Sequence, residues 1–219
     1  MKLFLASYWA GNRLDRLLAM SGGPGARMAI IANAVDAIPD ADRWAYYRTV
    51  MDPIEHFGAA GFDPAVVDLR MYFGRPEPLR DVLRRHRVIL VSGGNCFVLR
   101  RAMRLSGLDA MLPELLAEGL VYAGWSAGAC VAGSDLRVIE PMDDPQTRGI
   151  GHPPGDPIFE GLGLVPYGIV PHYRSDHAEA EKAEESVALA ERAGLPYRAL
   201  RDGETIVVEA GREELLGGQ

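Results

Sequence analysis

Short apolar runs punctuate the chain, each closed by glycine, proline or a charged residue. They cover residues 3–6, 27–34, 65–69, 88–91 and 120–123. Runs this short, apolar without alternation, suit strands buried on both faces of a parallel sheet. Between them, apolar positions recur at helical spacing. Trp44, Tyr47, Met51, Ile54 and Phe57 fall three and four residues apart, which predicts a helix over 42–57 with one apolar face. Shorter helices are predicted over 78–85 and 97–104, and another over 112–118, where Pro113 suits a first turn. Strand and helix alternate, so the predicted fold is a doubly wound, mostly parallel α/β sheet.

The segment 135–166 breaks this rhythm. It holds six prolines and little periodicity, and a loop of that length inside a compact domain is usually functional. An acidic helix with a solvated face is predicted over 178–193, followed by a hairpin-like pair near 204–209 and 213–216. No internal repeat or low-complexity linker divides the chain. The expectation is one α/β domain over residues 1–219.

Composition narrows the function classes. A net charge of −7 argues against nucleic acid or an anionic membrane surface as partner. No apolar run approaches the length of a membrane span. Residues 1–6 read as a first strand, not a signal peptide. Two cysteines, Cys96 and Cys130, have neither disulfide-scaffold density nor metal-ligand spacing, which fits a reducing cytoplasm. The aromatic cluster Trp44, Tyr46 and Tyr47 leaves both a monomer and a homodimer open.

The candidate chemistry centres on Gly124-Trp125-Ser126-Ala127-Gly128, a G-x-S-x-G pattern between a predicted strand and a helix rich in small residues. A nucleophile at a strand's carboxyl end enters its helix through a strained turn, and small residues two before and two after allow close backbone approach. The helix N-terminus then favours developing negative charge. The Ala127 amide is the natural oxyanion donor. A second turn, Ser92-Gly93-Gly94-Asn95, also follows a predicted strand, and Gly94 is the candidate second donor. Asn95 reads equally as a helix cap.

Serine needs a base. Of five histidines, His56 and His86 read as surface residues, and His152 lies in the long loop as a mobile group. His172 follows the apolar run 168–171, at a strand end where active-site residues gather, and is the favoured base. The orienting acid is expected between Ser126 and His172, where Glu140, Asp143 and Asp144 are the candidates. Further candidate substrate contacts are Gly93, Asn95, Trp125, Arg174 and His177. Only 46 residues separate Ser126 from His172, too few for the remaining strands of an α/β-hydrolase. A smaller flavodoxin-like sheet fits better.

GWSAGA, preceded about thirty residues earlier by GGN-x-F and followed by a strand ending in PH, resembles the dipeptidase E (alpha-aspartyl dipeptidase) family of serine peptidases. Cyanophycinase is a more distant relative. The resemblance implies a flavodoxin-like fold similar to the class I glutamine amidotransferase domain. It implies a serine peptidase acting on short peptides, with no metal or cofactor. It places the nucleophile on Ser126, the base on His172 and the oxyanion amides on Gly94 and Ala127. A gap-free alignment puts Pro141 where the family has its acid, with Glu140 beside it and Asp143 nearby. The family's aspartate-recognising arginine has no counterpart here; Arg174 and Lys182 are the nearby cations. An esterase or amidase of the same mechanism, and a non-catalytic amidotransferase-like binding module, are the alternative readings.

Overall fold

The computed structural model describes residues 1–43, 45 and 52–217. Its centre is a seven-stranded sheet in the order β3-β2-β4-β5-β1-β8-β9 among the described residues. The strands are β1 (Lys2–Ala6), β2 (Arg27–Ile31), β3 (Asp63–Val66), β4 (Val88–Val91), β5 (Val121–Trp125), β8 (Thr205–Glu209) and β9 (Arg212–Leu216). From β3 to β1 all neighbours are parallel; β8 and β9 add an antiparallel edge. β6 (Gly168–Val170) and β7 (Tyr197–Ala199) form a separate two-stranded parallel sheet.

The apolar runs have a direct cause. Leu3, Leu5, Ile89, Val91 and Tyr122 enter the core on one face of the sheet. Their chain neighbours Phe4, Ala6, Val88, Leu90, Val121 and Ala123 enter the core on the other. Strand side chains alternate faces, so a strand covered on both sides reads as unbroken apolar sequence. The first face is covered by α3 (Pro76–Leu83), α4 (Cys96–Ser106), α5 (Leu108–Ala117), α6 (Ala127–Cys130) and α7 (Ala180–Ala193). The second is covered by α1 (Leu14–Met20) and α2 (Pro53–Ala59), through Leu17, Met20 and Phe57. This is the expected α/β, flavodoxin-like architecture.

Several predicted elements shift. β3 ends at Val66, and the run predicted as a strand over 65–69 passes instead into a 3₁₀ turn, Leu69–Tyr72. The Asp68 side chain caps that turn by accepting the Arg70 N–H at 3.0 Å. The helix predicted over 42–57 is not continuous. Asp52 is extended, and its carboxylate accepts the Ile54 N–H at 2.9 Å to start α2 at Pro53. Trp44, Tyr46, Tyr47 and Met51 lie outside the described residues. Pro113 sits inside α5, not in its first turn. Gly107, with φ of 77°, both ends α4 and opens α5, which begins at Leu108, four residues earlier than expected. α1 and β7 carry too short a signal to be predicted. No helix among the described residues is long and apolar enough to cross a membrane.

Candidate active site

Three adjacent strands, β4, β5 and β1, deliver their carboxyl ends to one place, and in an open α/β sheet ligands sit at that edge. β5 runs into Ser126, whose φ of 46° and ψ of −117° are strained for a side chain larger than glycine. The strain is held by two bonds from the Ser126 N–H, to Ala6 O (3.2 Å) and Ser7 O (3.0 Å). It is held also by contact. A Cβ on Gly124 would collide with the Gly128 carbonyl, and one on Gly128 with the Val91 carbonyl of β4. The buried Tyr122 hydroxyl donates to Gly128 O at 2.7 Å, tying strand to helix. The small residues of the motif are thus demanded by backbone contact.

His172 stands beside the elbow. Its Nε2 lies 3.2 Å from Ser126 Oγ, and its Nδ1 lies 2.8 Å from Asp202 Oδ1. None of Glu140, Asp143 and Asp144, the acids expected between Ser126 and His172, occupies that position; the carboxylate that meets Nδ1 is Asp202, thirty residues downstream of the histidine. Glu140 is exposed at the end of the 3₁₀ turn Leu136–Ile139. Asp144 is exposed and accepts the Gln146 N–H. Asp143 accepts the Cys96 N–H at 2.8 Å.

Ser7, directly after β1, joins the two halves. Its hydroxyl donates to Asp202 Oδ1 at 2.8 Å and accepts the His172 backbone N–H at 2.8 Å. Ser175 Oγ accepts the Asp202 N–H at 2.8 Å. Partial burial alone would raise the Asp202 carboxyl, but bonds from His172 and Ser7 outweigh it and hold the group below its ordinary value. Sequence reasoning missed both residues. The available signal was Arg201-Asp202-Gly203-Glu204, a turn between β7 and β8.

The cleft in front of Ser126 has a volume of about 390 Å³ and is lined by Gly93, Gly94, Trp125, Asp143, His177 and Glu179, among others. Gly93, Trp125 and His177, the expected substrate contacts, thus line the cleft, as does Gly94, the expected oxyanion donor. The His177 ring stacks on His172 with centroids 3.7 Å apart, and burial, then the neighbouring His172, lowers its pKa. Asn95 and Arg174 are placed otherwise. Asn95 Oδ1 accepts the Phe97 and Val98 N–H groups as the cap of α4. The Arg174 guanidinium lies 4.9 Å over the Tyr173 ring and 3.7 Å from Glu184. Two other histidines also depart from expectation. His86 is buried, with Nδ1 on Val82 O, and the His152 side chain is buried against Asp36 at 2.8 Å. Both cysteines are buried.

His172, His177 and Asp202 place one ligand atom each within 4.8 Å, a spacing that a metal ion can use. Both His172 nitrogens are already engaged, by Asp202 and Ser126. A metal there would have to displace the contact that aligns the serine.

The sequence profile of Peptidase family S51 matches residues 16–216. The chain is 32% identical over 190 residues to a Drosophila melanogaster protein assigned as an alpha-aspartyl dipeptidase, covering 83% of this chain and 70% of that one. It is 32% identical over 200 residues to Peptidase E of Streptomyces coelicolor, covering 89% and 72%. A crystal structure of a Listeria monocytogenes protein assigned to Peptidase E superposes with a TM-score of 0.79 at 20% identity, covering 100% of this chain and 98% of that one. That likeness bears out the fold, and the sequence matches establish the lineage: the chain belongs to peptidase family S51 and is a serine-type peptidase.

Proposed function

We propose that the chain hydrolyses short peptides through an acyl-enzyme, with Ser126 as nucleophile, His172 as general base and Asp202 as the orienting acid. The observation that carries this reading is the relay Asp202 Oδ1 to His172 Nδ1 (2.8 Å) and His172 Nε2 to Ser126 Oγ (3.2 Å). Asp202 accepts a hydrogen bond from the Nδ1–H, which leaves Nε2 unprotonated and aimed at the hydroxyl. His172 removes the Ser126 proton as Oγ attacks the scissile carbonyl. The amides of Gly94 and Ala127 take the oxyanion. His172 then gives its proton to the departing amine, and water, deprotonated by the same imidazole, releases the acyl group.

The chain is proposed to act as one domain over residues 1–219, as a monomer or homodimer. Its two unpaired thiols suit a reducing compartment such as the cytoplasm. A dipeptide library cleaved by the wild type, with Ser126→Ala beside it, tests the reading. Cleavage that disappears with Ser126, together with fluorophosphonate labelling at that residue, is the expected result. Turnover confined to p-nitrophenyl esters, or cleavage that survives Ser126→Ala, overturns it.

A further inference from the structure

The cleft at Ser126 is acidic where the histidine meets the serine. Glu179 Oε2 lies 3.9 Å from His172 Nε2, the nitrogen that faces Ser126 Oγ. Asp143 lines the same cleft from the loop that follows Leu136–Ile139, anchored on the first turn of α4 by the Cys96 N–H. The lining is otherwise largely aromatic: Tyr8, Trp9 and Trp125, with Trp9 and Trp125 packed at 5.0 Å. Among the described residues, no lysine or arginine lines the cleft. Arg174 is turned onto Tyr173 and Glu184. Lys182 lies near enough to Asp143 to act on its titration but is exposed on α7. The other titratable groups are Tyr8, His172 and His177 in the cleft lining and the buried Cys96 thiol against Asp143, and the lowered pKa of His177 leaves it uncharged at neutral pH.

A carboxylate entering this space meets two like charges in a partly desolvated site. A cation meets two carboxylates in a cleft that Tyr8, Trp9 and Trp125 also line. We propose that this cleft selects peptides presenting a cationic group beside the scissile bond, and that Asp143 and Glu179 set the preference, against aspartyl substrates. The proposal rests on Ser126 being the reacting group. The cation has two chemical sources: the α-ammonium of an N-terminal residue, or a lysine or arginine side chain. Burial, with Glu179 adding to it, pushes the Asp143 carboxyl up to about 6 against the opposing Cys96 N–H. A bound cation favours its ionised form.

Binding to the Ser126→Ala protein, measured by calorimetry at neutral pH, reads the preference without any turnover. The probes are Lys-Ala, Arg-Ala, Ala-Ala and Asp-Ala, with N-acetylated Lys-Ala and Ala-Ala. Lys-Ala and Arg-Ala are expected to bind about tenfold or more tighter than Asp-Ala. Acetyl-Lys-Ala that still binds assigns the cation to the side chain; loss of binding on acetylation assigns it to the α-ammonium. Glu179→Gln and Asp143→Asn, each in this background, are expected to shrink the ratio severalfold. Lys-Ala affinity is expected to fall as the pH is lowered through about 6. Asp-Ala binding as tightly as Lys-Ala, a ratio unchanged in both variants, or no dipeptide binding at millimolar concentration overturns the proposal. Failure of hydrolysis in the wild type overturns the peptidase mechanism instead and leaves this binding result standing.

Discussion

The seven-stranded sheet and the small β6–β7 pair each supply part of the site, and they do so by different means. The large sheet presents Ser126 on a turn whose shape is set by backbone contact: Gly124 against Gly128, Gly128 against Val91 of β4, and the Ser126 N–H on the carbonyls of Ala6 and Ser7. The small sheet presents His172 just after β6 and Asp202 shortly after β7, so base and acid come from parallel strands that end side by side. One region holds its geometry by close backbone contact around a glycine motif. The other holds it by a hydrogen-bond net among residues 165 and 195 positions from their common partner, Ser7. A local device is written in consecutive residues, whereas a net of that kind exists only after the chain has folded.

Substitutions can break this comparison at graded cost. Ser126→Ala is expected to lower kcat on a cleaved dipeptide by about 10⁴-fold or more, with circular dichroism unchanged, because it removes the attacking atom. Asp202→Asn leaves the ring in place but favours the wrong tautomer, and a loss on the order of 10²- to 10⁴-fold in kcat is expected. Glu140→Gln and Asp144→Asn, assayed beside it, are expected to change kcat less than about threefold. A large loss in either, with Asp202→Asn active, would return the acid to the loop.

Gly128→Ala sharpens the other side of the comparison. Its Cβ would press on the Val91 carbonyl, so a destabilisation of about 2–3 kcal/mol in urea unfolding is expected. Ser7→Ala removes the bond to Asp202 and the acceptor of the His172 N–H. It is expected to cost about 1 kcal/mol of stability and roughly tenfold in kcat with little change in KM. The smallest effect belongs to Arg174→Ala, less than about threefold in kcat/KM, since its guanidinium is engaged by Tyr173 and Glu184.

The hydrogen-bonded acid also gives a pH signature. Asp202 is held below its ordinary carboxylate value, so its contribution to stability is complete above the unfolded value and is lost as pH falls through the lower folded one. Asp202→Asn should narrow the stability difference from wild type below about pH 4, measured by thermal unfolding across the acid range.

Much of the fold was legible because burial on both faces writes itself as unbroken apolar runs: β1 and β4 fall within a residue of their expected places. Helix edges were less legible. Asp52 and Gly107 act as boundaries through backbone geometry that the apolar spacing of 42–57 and 112–118 does not reveal. In the site, Ser126 and His172 each stand at a strand end and carry a visible motif. Asp202 sits in the turn between β7 and β8, in a stretch, Arg201-Asp202-Gly203-Glu204, that carries no catalytic pattern. Glu140, Asp143 and Asp144 were preferred because they lie between serine and histidine, yet chain order places no constraint on which carboxylate meets Nδ1.

The sequence by itself determined the layered α/β sheet and the nucleophile turn, since side-chain alternation along a strand and the spacing of Gly124 and Gly128 about Ser126 are both written in consecutive residues. Only the tertiary structure decided which acid faces His172 and what charge lines the cleft. Those depend on residues far apart in the chain, Ser7, Asp143, Glu179 and Asp202, that are brought together by the packing of separate elements. No spacing along the chain encodes that meeting.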